Sequence, residues 1–356
     1  MIAGGGTGGH LFPAVAIAKE LKERPGGAEI LFVTGRRKLE TEVLARHGFK
    51  QTSIDVEGLK GRGWKRAAVT AMRLPWSFFQ ALAAIEGFSP DMVVGVGGYS
   101  SGPVCLAARW KGIPCAIQEQ NSFPGLTNRL LCRVVDRVFI SFEESRRHFR
   151  CSSVVMTGNP VRKELIEKVN GGIREEDRFC VLVVGGSQGA RALNEAFLPA
   201  LEILVMKGKA VRVIHQTGEL DFAKVAERYR EKGLQGEVHA FISDMAWAYR
   251  QADIVVGRAG ATTLSELTAL GKPSILIPYP YAANNHQELN ARSVSAEGGA
   301  VMILQQELSG EGLAGVLTKY MEDPSALKRM ADRAGALGRP EAVEIIVNNL
   351  LEMVRK

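Results

Sequence analysis

Hydrophobic positions along this chain cluster in short β-rich runs, which alternate with longer stretches of helical pattern. Ile30–Thr34, Met92–Val96, Cys115–Gln118 and Val138–Ser141 form a first set of runs, and Val181–Val184, Arg212–Gln216, Asp253–Val256 and Ser274–Pro278 form a second. Such runs predict strands buried on both faces, and the helical stretches between them predict crossovers, which is the signature of βαβ units and parallel sheets. The scheme restarts after Thr157-Gly158-Asn159-Pro160, where Gly and Pro interrupt it. We expect an α/β protein of two Rossmann-like domains, residues 1–158 and 159–340, with parallel sheets facing a cleft. A closing helix, residues 341–356, carries an apolar stripe of Val343, Ile346, Val347, Leu350 and Val354 that must dock, and its place in the chain would let it cross back to the first domain.

Glycine loops stand at matching places in both halves. Gly4-Gly5-Gly6-Thr7-Gly8-Gly9-His10 follows the first strand, and Gly185-Gly186-Ser187-Gln188-Gly189 follows the run at Val181. Gly97-Gly98-Tyr99-Ser100 and Gly257-Arg258-Ala259-Gly260-Ala261-Thr262-Thr263 form a second such pair. A loop of this kind brings backbone N–H groups close to a phosphate or sugar at the positive end of a helix. One such site in each half suits an enzyme that joins two substrates. Gly4, Gly6 and Gly9 also fit GxGxxG, but the second strand ends Thr34-Gly35-Arg36-Arg37 and lacks the acidic residue that reads an NAD ribose. Arg36 and Arg37 could instead meet a 2′-phosphate, so an NADP-dependent oxidoreductase is an alternative.

Composition narrows the class. The 356 residues are 46% hydrophobic and 23% charged, with no apolar run of the roughly 18 residues that span a bilayer, and the start lacks the charge and cleavage site of a secretory leader. The five cysteines are scattered, with no CxxC pair, and the six histidines form no HExxH motif, so neither a disulfide framework nor a zinc site is expected. No Asp-x-Asp pair exists to hold a metal-nucleotide complex, so a diphosphate would be neutralised by backbone and side chains. The net charge of +7 lies in the first half, where residues 1–160 carry 21 Lys/Arg against 13 Asp/Glu. Between Gly58 and Ile85 there is no acidic residue, and Lys60, Arg62, Lys65, Arg66 and Arg73 alternate with Trp64, Leu74, Trp76, Phe78, Phe79 and Leu82. Basic and aromatic residues together suit the headgroup region of an anionic membrane better than nucleic acid. The plain alternative is that the Phe rings face the core and the cations are solvated.

Individual residues carry the chemistry. His10, where the first glycine loop meets its helix, can take a proton from an attacking hydroxyl. Ala261, Thr262, Thr263, Leu264, Ser265 and Glu266 place N–H groups and hydroxyls at a helix start with a carboxylate one turn inside, a pattern that fits a nucleoside diphosphate but is partly shared by any well-capped helix. The amides of Asn284, Asn285 and Gln287 can both donate to and accept from sugar hydroxyls.

In order along the chain, GGGTGGH at 4–10, GGYSSGP at 97–103, EQNSFPGLTNR at 119–129, GNPVR at 158–162, GGSQGAR at 185–191, RAGATTLSEL at 258–267 and NHQELNA at 285–291 resemble the MurG family. These are glycosyltransferases that add N-acetylglucosamine to lipid-linked N-acetylmuramyl-pentapeptide in peptidoglycan synthesis. The resemblance covers essentially the whole chain. It implies a GT-B fold, an inverting, metal-independent transfer from UDP-GlcNAc, and no cofactor. By position it implies donor contacts at Thr7, Gly8, Gly9, Asn121, Arg162, Ser187, Ile242, Ala261 to Glu266 and Gln287. Acceptor loops would lie around His10 and at Gly98, Tyr99 and Ser100, with His10 as the base and Glu119 as a second candidate or its orienting partner. The expected partners are UDP-GlcNAc, the lipid-linked muramyl-pentapeptide and an anionic membrane surface met through Lys65, Arg66, Arg73, Trp76 and Phe79. A cell-wall synthesis complex is a further expected partner. The implied location is peripheral, on the cytoplasmic face of the cell membrane. A related transferase that sugars diacylglycerol shares the fold and donor loop. Only Met1, Ile2 and Ala3 precede the first glycine loop, fewer than in the family, which predicts a shortened central strand.

Overall fold

The computed structural model describes residues 1–6, 8–56, 63–151, 153–186 and 189–354, the side chains of Leu39 and of residues 63–74 excepted. The chain divides into two compact units, Met1–Arg162 with Glu341–Lys356, and Lys163–Pro340.

The first unit runs β1 (Ile2–Ala3), α1 (Gly8–Glu23), β2 (Leu31–Thr34), α2 (Lys38–Arg46), β3 (Lys50–Ser53), α3 (Gly63–Phe88), β4 (Val93–Gly95), α4 (Ser101–Trp110), β5 (Cys115–Glu119), α5 (Leu126–Leu131), β6 (Arg137–Ile140) and β7 (Val154–Met156). The strands form one parallel sheet in the order β3-β2-β1-β4-β5-β6-β7. The central β1 is two residues long, with Ile2 in register with Phe32 on one side and Val94 on the other. Flanking backbone bonds from Gly4 N to Val33 O (3.1 Å) and from Val94 N to Met1 O (3.0 Å) extend its ladder. The Thr157–Pro160 break stays with this unit because Thr157 N and Gly158 N both donate to Ile140 O, and Gln118 Nε2 donates to Asn159 Oδ1 (3.1 Å).

The second unit runs α6 (Lys163–Asn170), β8 (Phe179–Val184), α7 (Arg191–Met206), β9 (Val211–Gln216), α8 (Phe222–Glu231), β10 (Glu237–His239), α9 (Met245–Gln251), β11 (Ile254–Gly257), α10 (Ala261–Ala269), β12 (Ser274–Leu276), α11 (His286–Ala296), β13 (Val301–Met302), α12 (Gly310–Glu322) and α13 (Pro324–Leu337). Its parallel sheet has the order β10-β9-β8-β11-β12-β13. Leu193, Phe197, Leu201 and Leu204 of α7 recur at helical spacing and pack with Val181, Val183 and Val213 of the sheet and Leu313, Ala314 and Leu317 of α12.

The last helix, α14 (Ala342–Val354), belongs to the first unit. Val343, Ile346, Val347 and Leu350 enter the core beside Ile2, Phe32 and the α1 residues Ala14, Val15 and Ile17, whereas Val354 lies off the seam and is exposed. Arg137 of β6 pins the helix by donating to Asn349 Oδ1 (2.5 Å). Opposite α1 and α14, α3, α4 and α5 cover the other face through Ala81, Ile85, Val104, Ala107 and Leu131.

Both sheets reverse their winding beside the first strand, between β1 and β4 and between β8 and β11. At such a switch point the loops leaving the C-terminal strand ends diverge and open a crevice for ligand. All four glycine loops lie there.

Candidate active site

In the first unit the loops after β1 and β4 touch. Gly98 has φ +83°, and a Cβ there would lie 2.6 Å from the carbonyl oxygen of Gly5. Ser101 Oγ lies 2.8 Å from both Ala3 O and Gly97 O and bridges the pair with its single proton. Gly8, Gly9 and His10 form the first turn of α1. The half-buried His10 ring lies against Gly97, where a Cβ would come within 2.9 Å of its Cδ2, and its Nδ1 is 3.2 Å from Gly5 O. A carbonyl can only accept, so this contact fixes the proton on Nδ1 and makes Nε2 the basic nitrogen. Tyr99 is exposed beside the loop, and Ser100 is buried at the start of α4.

Glu119, the second candidate, is held by four hydrogen bonds. Its buried Oε1 accepts from Asn121 N (3.0 Å) and Nδ2 (3.3 Å), and its Oε2 from Gly125 N (3.0 Å) and Asn128 Nδ2 (2.9 Å). A carboxylate with four donors shapes the loop that carries Asn121. Arg162 places its guanidinium over the ring of Phe12, 5.4 Å from the centroid.

The arginines considered for a 2′-phosphate are committed elsewhere. Arg36 pairs with Asp55 (2.8 Å), and Arg37 donates from Nη1 to Gly6 O (2.5 Å). Beside it Glu40, buried at the start of α2, accepts from the backbone N–H groups of Gly6 and Arg37. In the sequence Glu40 is marked by one signal, an acidic residue in a first helical turn.

In the second unit α10 is preceded by Gly260, which brings no capping side chain, and the N–H groups of its first turn, Ala261 to Thr263, point toward the N-terminal end of the helix. Leu264 is buried in the core, and Ser265 Oγ donates back to Ala261 O (2.9 Å), so these two side chains serve the helix. Glu266 is buried one turn in, where Tyr249 Oη donates to its Oε2 (2.9 Å). Ile242 is buried with its N–H on Gln216 Oε1 (2.9 Å), and Gln216 Nε2 donates in turn to Gly186 O (3.2 Å). One amide thereby ties the loop after β8 to the loop before α9. Gln287 Oε1 accepts from Tyr279 N (2.9 Å). Asn284 and Asn285 just before it hold left-handed φ of 56° and 55°. Thr7, Ser187, Lys60 and Arg62, and the side chains of Trp64, Lys65, Arg66, Arg73 and Leu74, lie outside the described residues.

Both halves of the chain match glycosyltransferase family 28 models, the N-terminal domain over residues 1–140 and the C-terminal domain over residues 180–346. The chain belongs to glycosyltransferase family 28. A family relative from Syntrophus aciditrophicus (strain SB), named UDP-N-acetylglucosamine--N-acetylmuramyl-(pentapeptide) pyrophosphoryl-undecaprenol N-acetylglucosamine transferase, is 46% identical, covering 100% of this chain and 98% of its own. A protein of the same name from Geobacter sp. (strain M21) is 47% identical over 98% of this chain and 94% of its own. The crystal structure of Acinetobacter baumannii MurG superposes with a TM-score of 0.79 at 31% identity, covering 99% and 98% of the two chains. The S. aureus MnaA-UDP co-structure, at 16% identity and TM-score 0.69 over 100% and 97%, shares the fold. These likenesses establish the GT-B fold and a UDP-GlcNAc-dependent hexosyltransferase, and they set aside the NADP oxidoreductase.

On the far face of the first unit of this family 28 chain, α3 exposes Trp76 and Phe79, each 61% accessible, while Phe78 and Leu82 turn inward against the core. The neighbouring α4 exposes Leu106 and Trp110, the latter 77% accessible, and α5, packed on α4, exposes Leu126 and Leu130. Among the described residues no helix is long and apolar enough to cross a membrane.

Proposed function

We propose that this enzyme transfers N-acetylglucosamine from UDP-N-acetylglucosamine to the 4-hydroxyl of N-acetylmuramyl-(pentapeptide) pyrophosphoryl-undecaprenol, the step from lipid I to lipid II of peptidoglycan synthesis. What carries this reading is the 44–47% identity, sustained over nearly the full chain, to relatives named for that reaction.

In the mechanism, His10 Nε2 takes the proton of the acceptor hydroxyl as its oxygen attacks the anomeric carbon. The bond from that carbon to the UDP oxygen breaks on the opposite face, UDP leaves with the electron pair, and configuration inverts. The second unit holds the donor. The diphosphate charge falls on the outward N–H groups at the start of α10 and on the loop at Ser187, and needs no metal ion. Ile242 borders uracil, Glu266 holds the ribose, and Gln287 with Asn121 reads the sugar. Arg162 and the Gly8-Gly9 turn add to the donor contacts. Gly98, Tyr99 and Ser100 receive the acceptor. The acceptor's polyprenyl tail stays in a bilayer, and the first unit meets the anionic cytoplasmic face through Lys65, Arg66 and Arg73 with Trp76 and Phe79. The exposed Leu106 and Trp110 of α4, which packs on α3, and Leu130 of α5, which packs on α4, support this reading by adding apolar surface on neighbouring helices.

UDP release tests the transfer. Release should require donor and lipid-linked acceptor together, persist in chelator, and yield a β-linked disaccharide by NMR coupling constants. Release that is independent of acceptor, or an α-linked product, would overturn the mechanism.

A further inference from the structure

Glu266 is the one carboxylate assigned to the nucleotide in the second unit, and a carboxylate on a helix can rotate about its side-chain bonds unless something holds it. A ribose read by a freely rotating carboxylate loses the benefit of preorganisation. The structure supplies a clamp. Tyr249, 1% exposed, donates its hydroxyl to Glu266 Oε2 at 2.9 Å, and Glu266 is itself 8% exposed. A phenol hydroxyl buried to this degree is tolerated only when hydrogen-bonded, and a bond to a carboxylate is of the stronger, charge-assisted kind.

Tyr249 also sits in a braced segment. It lies on α9, a helix whose start is fixed by Asp244 Oδ1 accepting from Trp247 N (3.1 Å), two residues beyond Ile242. The Ile242 N–H is anchored in turn on Gln216, which also holds Gly186. The segment from Ile242 to Tyr249 is therefore tied at one end to the loop after β8 and at the other to the carboxylate on α10.

We propose that Tyr249 is a positioning residue for donor recognition: it orients the Glu266 carboxylate toward the ribose hydroxyls and sets it in register with the Ile242 loop. This rests on the assignment of Glu266 to the ribose.

The test is calorimetric titration of the full chain with UDP and with 2′,3′-dideoxy-UDP, which lacks the hydroxyls that Glu266 would read. In Tyr249→Phe, confirmed folded by circular dichroism, UDP binding should weaken about five- to tenfold, the size of one well-placed hydrogen bond, and dideoxy-UDP binding should be unchanged. Glu266→Ala should bring the two nucleotides to similar affinity, and adding Tyr249→Phe to it should cost UDP nothing further. Glu266→Gln, which keeps an oxygen for the Tyr249 hydroxyl, should retain more ribose discrimination than Glu266→Ala, and it gives a readout that does not depend on the Tyr249 variant folding. Equal weakening of both nucleotides by Tyr249→Phe, or no weakening of either, overturns the role of Tyr249. Discrimination that survives Glu266→Ala instead overturns the ribose assignment itself.

Discussion

His215 gives a prediction whose size follows from its surroundings. It is 0% exposed on β9, flanked by the rings of Phe197 (5.3 Å) and Tyr229 (6.0 Å). Asn194 donates through Nδ2 to Thr217 O and Asp221 Oδ2, so its Oδ1 faces the imidazole and accepts from His215 Nε2 (3.1 Å). The other ring nitrogen, Nδ1, then accepts from Tyr229 Oη (3.1 Å). These two bonds satisfy the neutral ring at both nitrogens, and burial pushes its pKa from 6.5 down to about 3. A histidine with a lowered folded pKa contributes its full stability above pH 6.5 and loses it as pH falls from 6.5 toward about 3. At about 1.4 kcal/mol per pH unit, moving from pH 7.5 to pH 5 should remove about 2 kcal/mol. His215→Asn stays neutral over that range. It should be less stable than the parent at pH 7.5, because Tyr229 loses an acceptor, but the gap should shrink by about 2 kcal/mol at pH 5. Amide hydrogen exchange of β8 and β9 peptides reads the opening free energy of this unit directly, and other titrations cancel in the difference between variants. Parallel pH curves for the two proteins would refute the neutral, fully partnered His215.

Other consequences follow from the site. His10→Ala should lower kcat by about 10²- to 10⁴-fold with UDP affinity intact, as the removal of a general base does, checked by single-turnover kinetics and titration. Glu266→Ala should weaken UDP binding by about 1–3 kcal/mol in a folded protein, by calorimetry. Gly98→Ala forces a Cβ onto the Gly5 carbonyl at positive φ and should destabilise the first unit by about 2–4 kcal/mol, seen as a lowered melting temperature. Reversing Lys65, Arg66 and Arg73 to Glu should abolish salt-sensitive pelleting on anionic vesicles, and Trp76→Ser with Phe79→Ser should remove a salt-insensitive part; equal pelleting of all proteins would rule the patch out.

The inner strands were legible where they form β-rich, largely apolar runs: β8, Phe179–Val184, is apolar throughout and buried from Cys180 onward. The strands that the pattern did not reveal, β3, β7, β10 and β13, are the four sheet edges. Each is short and only half-buried or more exposed, as with Lys-Gln-Thr-Ser in β3, so no apolar run marks it. The candidate site divides in the same way. Glycine loops announce themselves because backbone must approach backbone, as Gly98 does Gly5. The side chains that brace those loops were silent. Glu40 reaches Gly6 across 34 positions, Gln216 reaches Ile242 across 26, and Tyr249 reaches Glu266 across 17, and only folding brings such pairs together. The same long-range contacts decided Arg36 and Arg37, which as a sequence pair could have met a phosphate and in the fold meet Asp55 and Gly6.

Acceptor choice is the most direct test of the central claim. Radiolabelled UDP-N-acetylglucosamine is incubated with the full chain and vesicles carrying either N-acetylmuramyl-(pentapeptide) pyrophosphoryl-undecaprenol or diacylglycerol, and label is counted in the extracted lipid. Label in the muramyl lipid alone, lost in His10→Ala, is the predicted result; label in diacylglycerol, or in neither lipid, would contradict it.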